Sequence, residues 1–439
     1  MANTYLAKTL GTPTNNKKWT LSVWCKRSTL TAVQTIFSAG ASATDTMSFS
    51  SSGSFNFYVN AGNSGRFASN RLFRDTSAWY HVVLAADSTQ STAANRMKLY
   101  INGVQETSFS NATYPSVNYG WKINSAVKHS FGGYSESSSG DFWNGSMSHI
   151  HFCDGTQLAP TVFGSTDSTT GQWKINTAPS FTLGNNGFTI LKDGKTITDQ
   201  SSNSNNFALG GGTLTKTEDC PSNVFPTWNP AFMPFNIGNG RADNGGTTIG
   251  SPGGDSSSLA SMGARSGKYY WEIKVQNAAN TRSCGIVRSD LQGLNATNPI
   301  YPGGNGNASN FSSSYNMVGG YVQTVTSGTQ AQQGSLATLT TGDFLGVALD
   351  IDNLNIKWYK NGSLVTTTNL TSAWIANGLF LIPCNRLDGN QFVQYNFGNG
   401  CFASTQLTGT TYAGTGGVGI FKYQPPTGFT ALSTKGLNL

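Results

Sequence analysis

The chain predicts an all-β fold: two antiparallel β-sandwiches, or jelly rolls, joined by an irregular linker region. Three observations predict it. A two-strand pattern occurs twice, at 79–87 with 97–103 and at 343–350 with 356–362. Each copy is an apolar strand, a polar turn, a second strand containing Tyr, and an Asn-Gly pair: Asn102-Gly103 and Asn361-Gly362. Asn-Gly between apolar runs is the strongest short hairpin signal, because both central residues of the turn take φ > 0. The composition agrees, with 37% hydrophobic residues, only 11% charged residues and 52 glycines. That balance suits many short strands joined by Gly, Asn and Ser turns. Finally, no window holds a 3.6-residue apolar period over three turns.

The elements follow in order along the 439 residues. The first sandwich is expected over 1–165. Residues 20–25 and 54–59 alternate with period two, as half-buried strands do. The 79–87 and 96–101 strands come next, and 145–152 closes the block. Residues 166–230 carry fewer strand signals and read as the linker region, with one short hairpin-like unit at 184–194. Pro221, Pro226 and Pro230 place the domain junction at its end. The second sandwich is expected over 231–439, with strands at 267–275, 343–350, 355–360, 380–383 and 391–397. Residues 289–340 are rich in Gly, Ser, Asn and Thr and read as long surface loops.

Bulk properties narrow the function classes. The formal net charge is +7, but no basic run exceeds two residues. Nucleic-acid binding calls for a clustered stripe, so no nucleic-acid partner is expected; the charge leaves open a mild attraction to anionic polymers such as acidic surface polysaccharide. Cys25, Cys153, Cys220, Cys284, Cys384 and Cys401 have no zinc-like spacing and read as free thiols, most of them buried. The start of the chain lacks a signal-peptide pattern, and no stretch reaches membrane-spanning length, so no membrane insertion is expected.

Catalytic constellations are sparse. Glycoside hydrolysis needs two carboxylates flanking the scissile bond. The four glutamates (Glu106, Glu136, Glu218, Glu272) are far apart in sequence. Asp350 and Asp352 share a strand face but read as turn formers. His149 and His151 share a strand face too, and read as a solvent-facing pair opposite Ile150 and Phe152 rather than as metal ligands. The chain is expected not to be an enzyme. Sugar recognition, by contrast, uses aromatic faces for stacking together with amides and hydroxyls. The loop aromatics Tyr119, Trp121, Tyr134, Trp143, Tyr301, Tyr315 and Tyr321 are the carbohydrate-binding candidates.

Several motifs carry a resemblance. The first block, with 19–24, 79–83 and 99–103, resembles a laminin-G/concanavalin-A-like jelly roll. The second, with 267–272, Gly342-Asp343, 356–362 and 425–432, resembles a SPRY domain. The join (152–155, 158–164 and Gly187-Phe188) resembles the linker of lectin-like structural proteins of tailed bacteriophages. The resemblance implies a virion structural protein, assembled in the host bacterial cytoplasm: a tail-fibre or receptor-binding adhesin for host surface glycans. It implies other virion proteins and host surface polysaccharide as partners, and a homo-oligomer, with a trimer favoured. A capsid-decorating or baseplate/tail scaffold role is the alternative, which the start of the jelly roll almost at Met1 favours. A polysaccharide depolymerase comes third. No cofactor is required by this resemblance; calcium is the candidate ion, with Asp141, Asp154, Asp193 and Asp199 as candidate ligands by residue type.

Overall fold

The computed structural model describes residues 3–41, 44–134, 141–192, 196–228, 235–236, 241–251, 253–254, 256–277, 282–290, 311–387, 389 and 391–439. Strands dominate (46% against 6% helix), and the helical turns among the described residues are all of the 3-10 type. The chain divides into two compact units. One is Met1–Leu214 with Cys220–Ser222; the other is Thr215–Asp219 with Asn223–Leu439. The 166–230 stretch, expected as a linker region, is therefore divided between them. Phe188–Ile190 and Ala208–Gly211 are edge strands of the first unit, because Phe188, Ile190 and Phe207 supply apolar side chains that its core buries.

The first unit is a sandwich of an eight-stranded and a six-stranded sheet. The six-stranded sheet runs Phe188–Ile190, Gly145–Asp154, Lys18–Arg27, Tyr80–Asp87, Met97–Ile101, Val104–Gln105. All its pairings are antiparallel. In the Lys18–Arg27 strand, Trp19, Leu21, Val23 and Cys25 enter the core. Its alternate residues Thr20, Ser22 and Trp24 face the other way. They are buried nonetheless. The stretch from 156 to 182 accounts for this: Thr20 bonds to Thr156, and Trp173 packs above the sheet.

The second unit repeats the plan. Its long sheet runs Arg241–Asp243, Thr248–Ser251, Gln391–Asn396, Lys268–Val275, Phe344–Asp350, Asn355–Lys360, Ser363–Asn369. Thr430–Ala431 adds a parallel pairing on Lys268–Val275. Trp271, Ile273 and Val275 enter the core with Trp228, Trp358 and Trp374. Burying each such side chain stabilises by about 1.5–3 kcal/mol.

Two expectations are corrected. Residues 311–333 are not loops: Phe311–Asn316, Tyr321–Thr326 and Thr329–Gln333 form a meander at one edge of the second unit's other sheet. Ser312, Ser313 and Ser314 are buried there. Backbone pairing and a 3.0 Å contact between the Ser313 and Thr324 hydroxyls satisfy polar groups that a hydropathy reading assigns to solvent. The second correction concerns His149 and His151, which are both buried. His149 takes φ +47°, and the register to Lys18–Arg27 shifts between Ser148 and His151. This bulge breaks the simple alternation. His151 lies on Phe163 (5.8 Å, 20° between planes) and its Nδ1 meets Thr189 Oγ1 at 3.0 Å. The cysteines are free thiols as expected, five of them buried and Cys220 half-buried.

Candidate binding surface

Asn102 and Gly103 take φ of +49° and +79°; Asn361 and Gly362 take +49° and +84°. In each unit the Asn fixes its turn by the same bonds. Asn102 N donates to His81 O and Asn102 Oδ1 accepts from His81 N. Asn361 does the same with Phe344, at 2.9 Å both ways. Each turn lies under an aromatic ring. A Cβ on Gly103 would stand 2.3 Å from Trp173, and one on Gly362 would stand 2.6 Å from Tyr423.

The register makes the two surfaces comparable residue by residue. Lys18 opposes Asp87 and Lys268 opposes Asp350, each as an ion pair (3.2 and 3.1 Å). Four residues on, Ser22 corresponds to Glu272; six on, Trp24 opposite His81 corresponds to Lys274 opposite Phe344.

In the first unit this position is sealed. His81 lies between Trp24 (4.7 Å, 13°) and Trp173 (5.9 Å, 16°). Trp173 Nε1 donates to His81 Nδ1 at 2.9 Å, so the ring proton sits on Nε2 and faces Ser22 Oγ at 2.8 Å. Burial, with His151 nearby, holds the imidazole down at about 3, so it is neutral.

In the second unit the position is half open. The Phe344 ring is half-buried against Phe402 (5.2 Å) and Tyr423 (5.7 Å). Lys274 Nζ stands 5.9 Å from its centroid and Lys422 Nζ 5.2 Å from it. Lys422 also lies over Tyr423, at 5.6 Å. Beneath them Glu272 is fully buried. Its carboxylate accepts from the Lys422 and Tyr423 amides (2.9 and 2.7 Å) and from Asn396 Nδ2 (3.1 Å). These bonds seat the 420–423 segment on the sheet. Burial pushes the Glu272 carboxyl up to about 7 against the pull of those donors. Gln394 stands beside Lys274 in register and accepts from Gln276 at 2.9 Å. The resulting row presents an amide, an amine, a ring and a second amine on paired strands.

The carbohydrate candidates are scattered. Trp121 and Tyr315 are fully buried, which corrects their reading as stacking surfaces. Trp121 packs edge-on against Trp19 (5.4 Å), and Tyr315 packs near Trp358 (5.8 Å) with its hydroxyl on the Ala337 carbonyl. Tyr119, Tyr134, Trp143 and Tyr321 are half-buried. Tyr119 packs on Trp121, Trp143 on Phe49, and the Tyr321 hydroxyl accepts from Asn316. Tyr301 lies outside the described residues, as does Asp193. Asp154 accepts from the Thr14, Asn15 and Asn186 amides and from Asn124 Nδ2, at 2.6–3.1 Å. Four N–H groups thus meet its carboxylate, and Asp154 fastens these loops together. Asp199 accepts from the Thr189, Ser201 and Asn205 amides as a turn former. The Asp141 carbonyl accepts from Thr35 N, and burial pushes its half-buried carboxyl upward. No group of three metal-ligating His, Cys, Asp or Glu residues forms among the described residues.

The Phe344 row was not singled out by sequence. The signal available was the outward alternation Tyr270, Glu272, Lys274, together with Lys422-Tyr423 ahead of Pro425-Pro426.

Comparison with known proteins gives the class of each unit. Residues 2–163 match the concanavalin A-like lectin/glucanases superfamily (Laminin_G_3), and residues 268–400 match the SPRY domain. The chain thus carries a concanavalin A-like domain followed by a SPRY domain, both generally binding modules. Similar solved structures include the SPRY domain of human HERC1 (19% identity, covering 38% of this chain and 96% of that one, TM-score 0.28). The PSpry domain of TRIM65 is another (13% identity, 39% and 91%, TM-score 0.30). So is the heptameric SAP-like pentraxin from Limulus polyphemus (20% identity, 36% and 71%, TM-score 0.27). No curated protein sequence matches the chain. No helix among the described residues is long and apolar enough to cross a membrane.

Proposed function

We propose that this protein is a non-enzymatic structural component of a tailed-bacteriophage virion: a tail-fibre or receptor-binding adhesin that recognises host surface glycans. The observation that carries the reading is the half-open Phe344 ring, flanked by amide and amine groups on hydrogen-bonded strands. That is the equipment for stacking on a sugar's C–H face and bonding its hydroxyls. The order of the two binding modules, and the phage-like join between them, support a virion setting in which the protein assembles with other virion proteins as a homotrimer. Adsorption of particles lacking the protein tests it. Loss of adsorption is expected. Normal adsorption, with the protein imaged on the head, would select the capsid-decorating role instead.

A further inference from the structure

We propose that the Phe344 row of the SPRY unit is an acidic-polysaccharide site, with Lys274 and Lys422 as its carboxylate-binding residues. The proposal rests on the glycan-binding reading above and names the ligand class. Two amines converge on one ring, 5.9 and 5.2 Å from its centroid. Among the described residues neither amine takes part in a salt bridge. The nearby carboxylates are committed elsewhere. Asp343 holds Lys360 (3.0 Å) and the Asn361 amide group (2.7 Å). Glu272 is buried and turned onto the Lys422 and Tyr423 main-chain amides.

Two ammonium groups beside one ring repel each other, and an anion placed between them is attracted by both. A hexuronate chain meets all of these features. One sugar lies on the Phe344 face, its carboxylate meets the two amines, and its hydroxyls reach the Gln394 amide. The corresponding position of the first unit carries Trp24 and His81, both uncharged and buried, so the charge is particular to this unit and not a requirement of the fold.

The test uses the purified full chain and measures binding to polygalacturonate, hyaluronate and alginate, with dextran and mannan as neutral chains and duplex DNA as a non-sugar polyanion. At least one acidic polysaccharide is expected to bind, weakening as salt is raised. The Lys274→Gln/Lys422→Gln double variant should lose about tenfold in affinity, and the Lys→Arg pair should retain it. Calorimetric melting shows that each variant folds. Equal binding of neutral and acidic chains, unchanged in the double variant, would overturn the acidic site and leave the glycan reading standing. Failure of every polysaccharide would overturn both. Duplex DNA bound as tightly as the best polysaccharide would overturn the sugar assignment.

Discussion

Two sandwiches with the same turn, the same ion pair and the same register do opposite things at one position. In the concanavalin A-like unit, Trp24, His81 and Trp173 close into a three-ring stack over Ser22. In the SPRY unit, Lys274, Phe344 and Tyr423 leave a half-open ring with two amines over Glu272. The hairpin fixes the geometry in both. What differs is the side chain that the covering segment brings down. Trp173 donates to an imidazole and completes the stack; Tyr423 packs at 67° to Phe344, and the ring stays half-buried. A shared scaffold can thus bury a position in one copy and leave it half open in the other.

The largest expected difference comes from truncating the paired positions. Trp24→Ala should cost the first unit about 3–5 kcal/mol. Lys274→Ala should cost the second about 1 kcal/mol, since a half-buried cation–π contact is worth about that much. Chemical denaturation with domain-resolved fluorescence measures both. Equal costs would break the comparison. The next pair reverses the order. Glu272→Ala leaves the Lys422 and Tyr423 amides without their acceptor and Asn396 Nδ2 with the Ile420 carbonyl alone, for about 3 kcal/mol, whereas Ser22→Ala removes one bond to His81, for about 1 kcal/mol.

The glycine turns should respond alike. Gly103→Ala and Gly362→Ala each force a Cβ into positive φ and against a ring, for about 1–3 kcal/mol. A melting shift confined to one variant would show that the ring over the other turn is loosely held.

The pH response separates the two units by its sign. Glu272 titrates near 7 when folded and 4.5 when unfolded, so the folded SPRY unit binds the extra proton between these values. Its contribution therefore falls as pH rises from 4.5 to 7. In the first unit burial lowers His81 and His151 to about 3 and His129 to about 4, from 6.5. There the unfolded chain binds the extra protons, so stability falls as pH drops below 6.5. Asp45, pushed by burial up to about 6, opposes this with one group against three. Calorimetry at pH 5 and 7 should show the two transitions moving in opposite directions, and Glu272→Gln should flatten the second.

The strands around both Asn-Gly pairs were legible, because a type I′ turn and period-two alternation are local properties. The 311–333 meander was not, because Ser312 to Ser314 carry no apolar alternation and owe their burial to neighbouring strands. Trp121 and Tyr315 looked like loop aromatics because their partners Trp19 and Trp358 are remote in sequence. The loop-fastening bonds of Asp154 were hidden for the same reason: its four donors come from three distant segments.

By itself the sequence determined the all-β class, the two hairpins and the free thiols, since each follows from backbone preference or residue spacing over a few positions. Tertiary structure alone decided which aromatic covers each Asn-Gly turn, and hence which face is sealed and which keeps two amines beside an open ring. That choice depends on where 156–182 and 420–423 cross their sheets, and no local rule links those segments to the strands they cover.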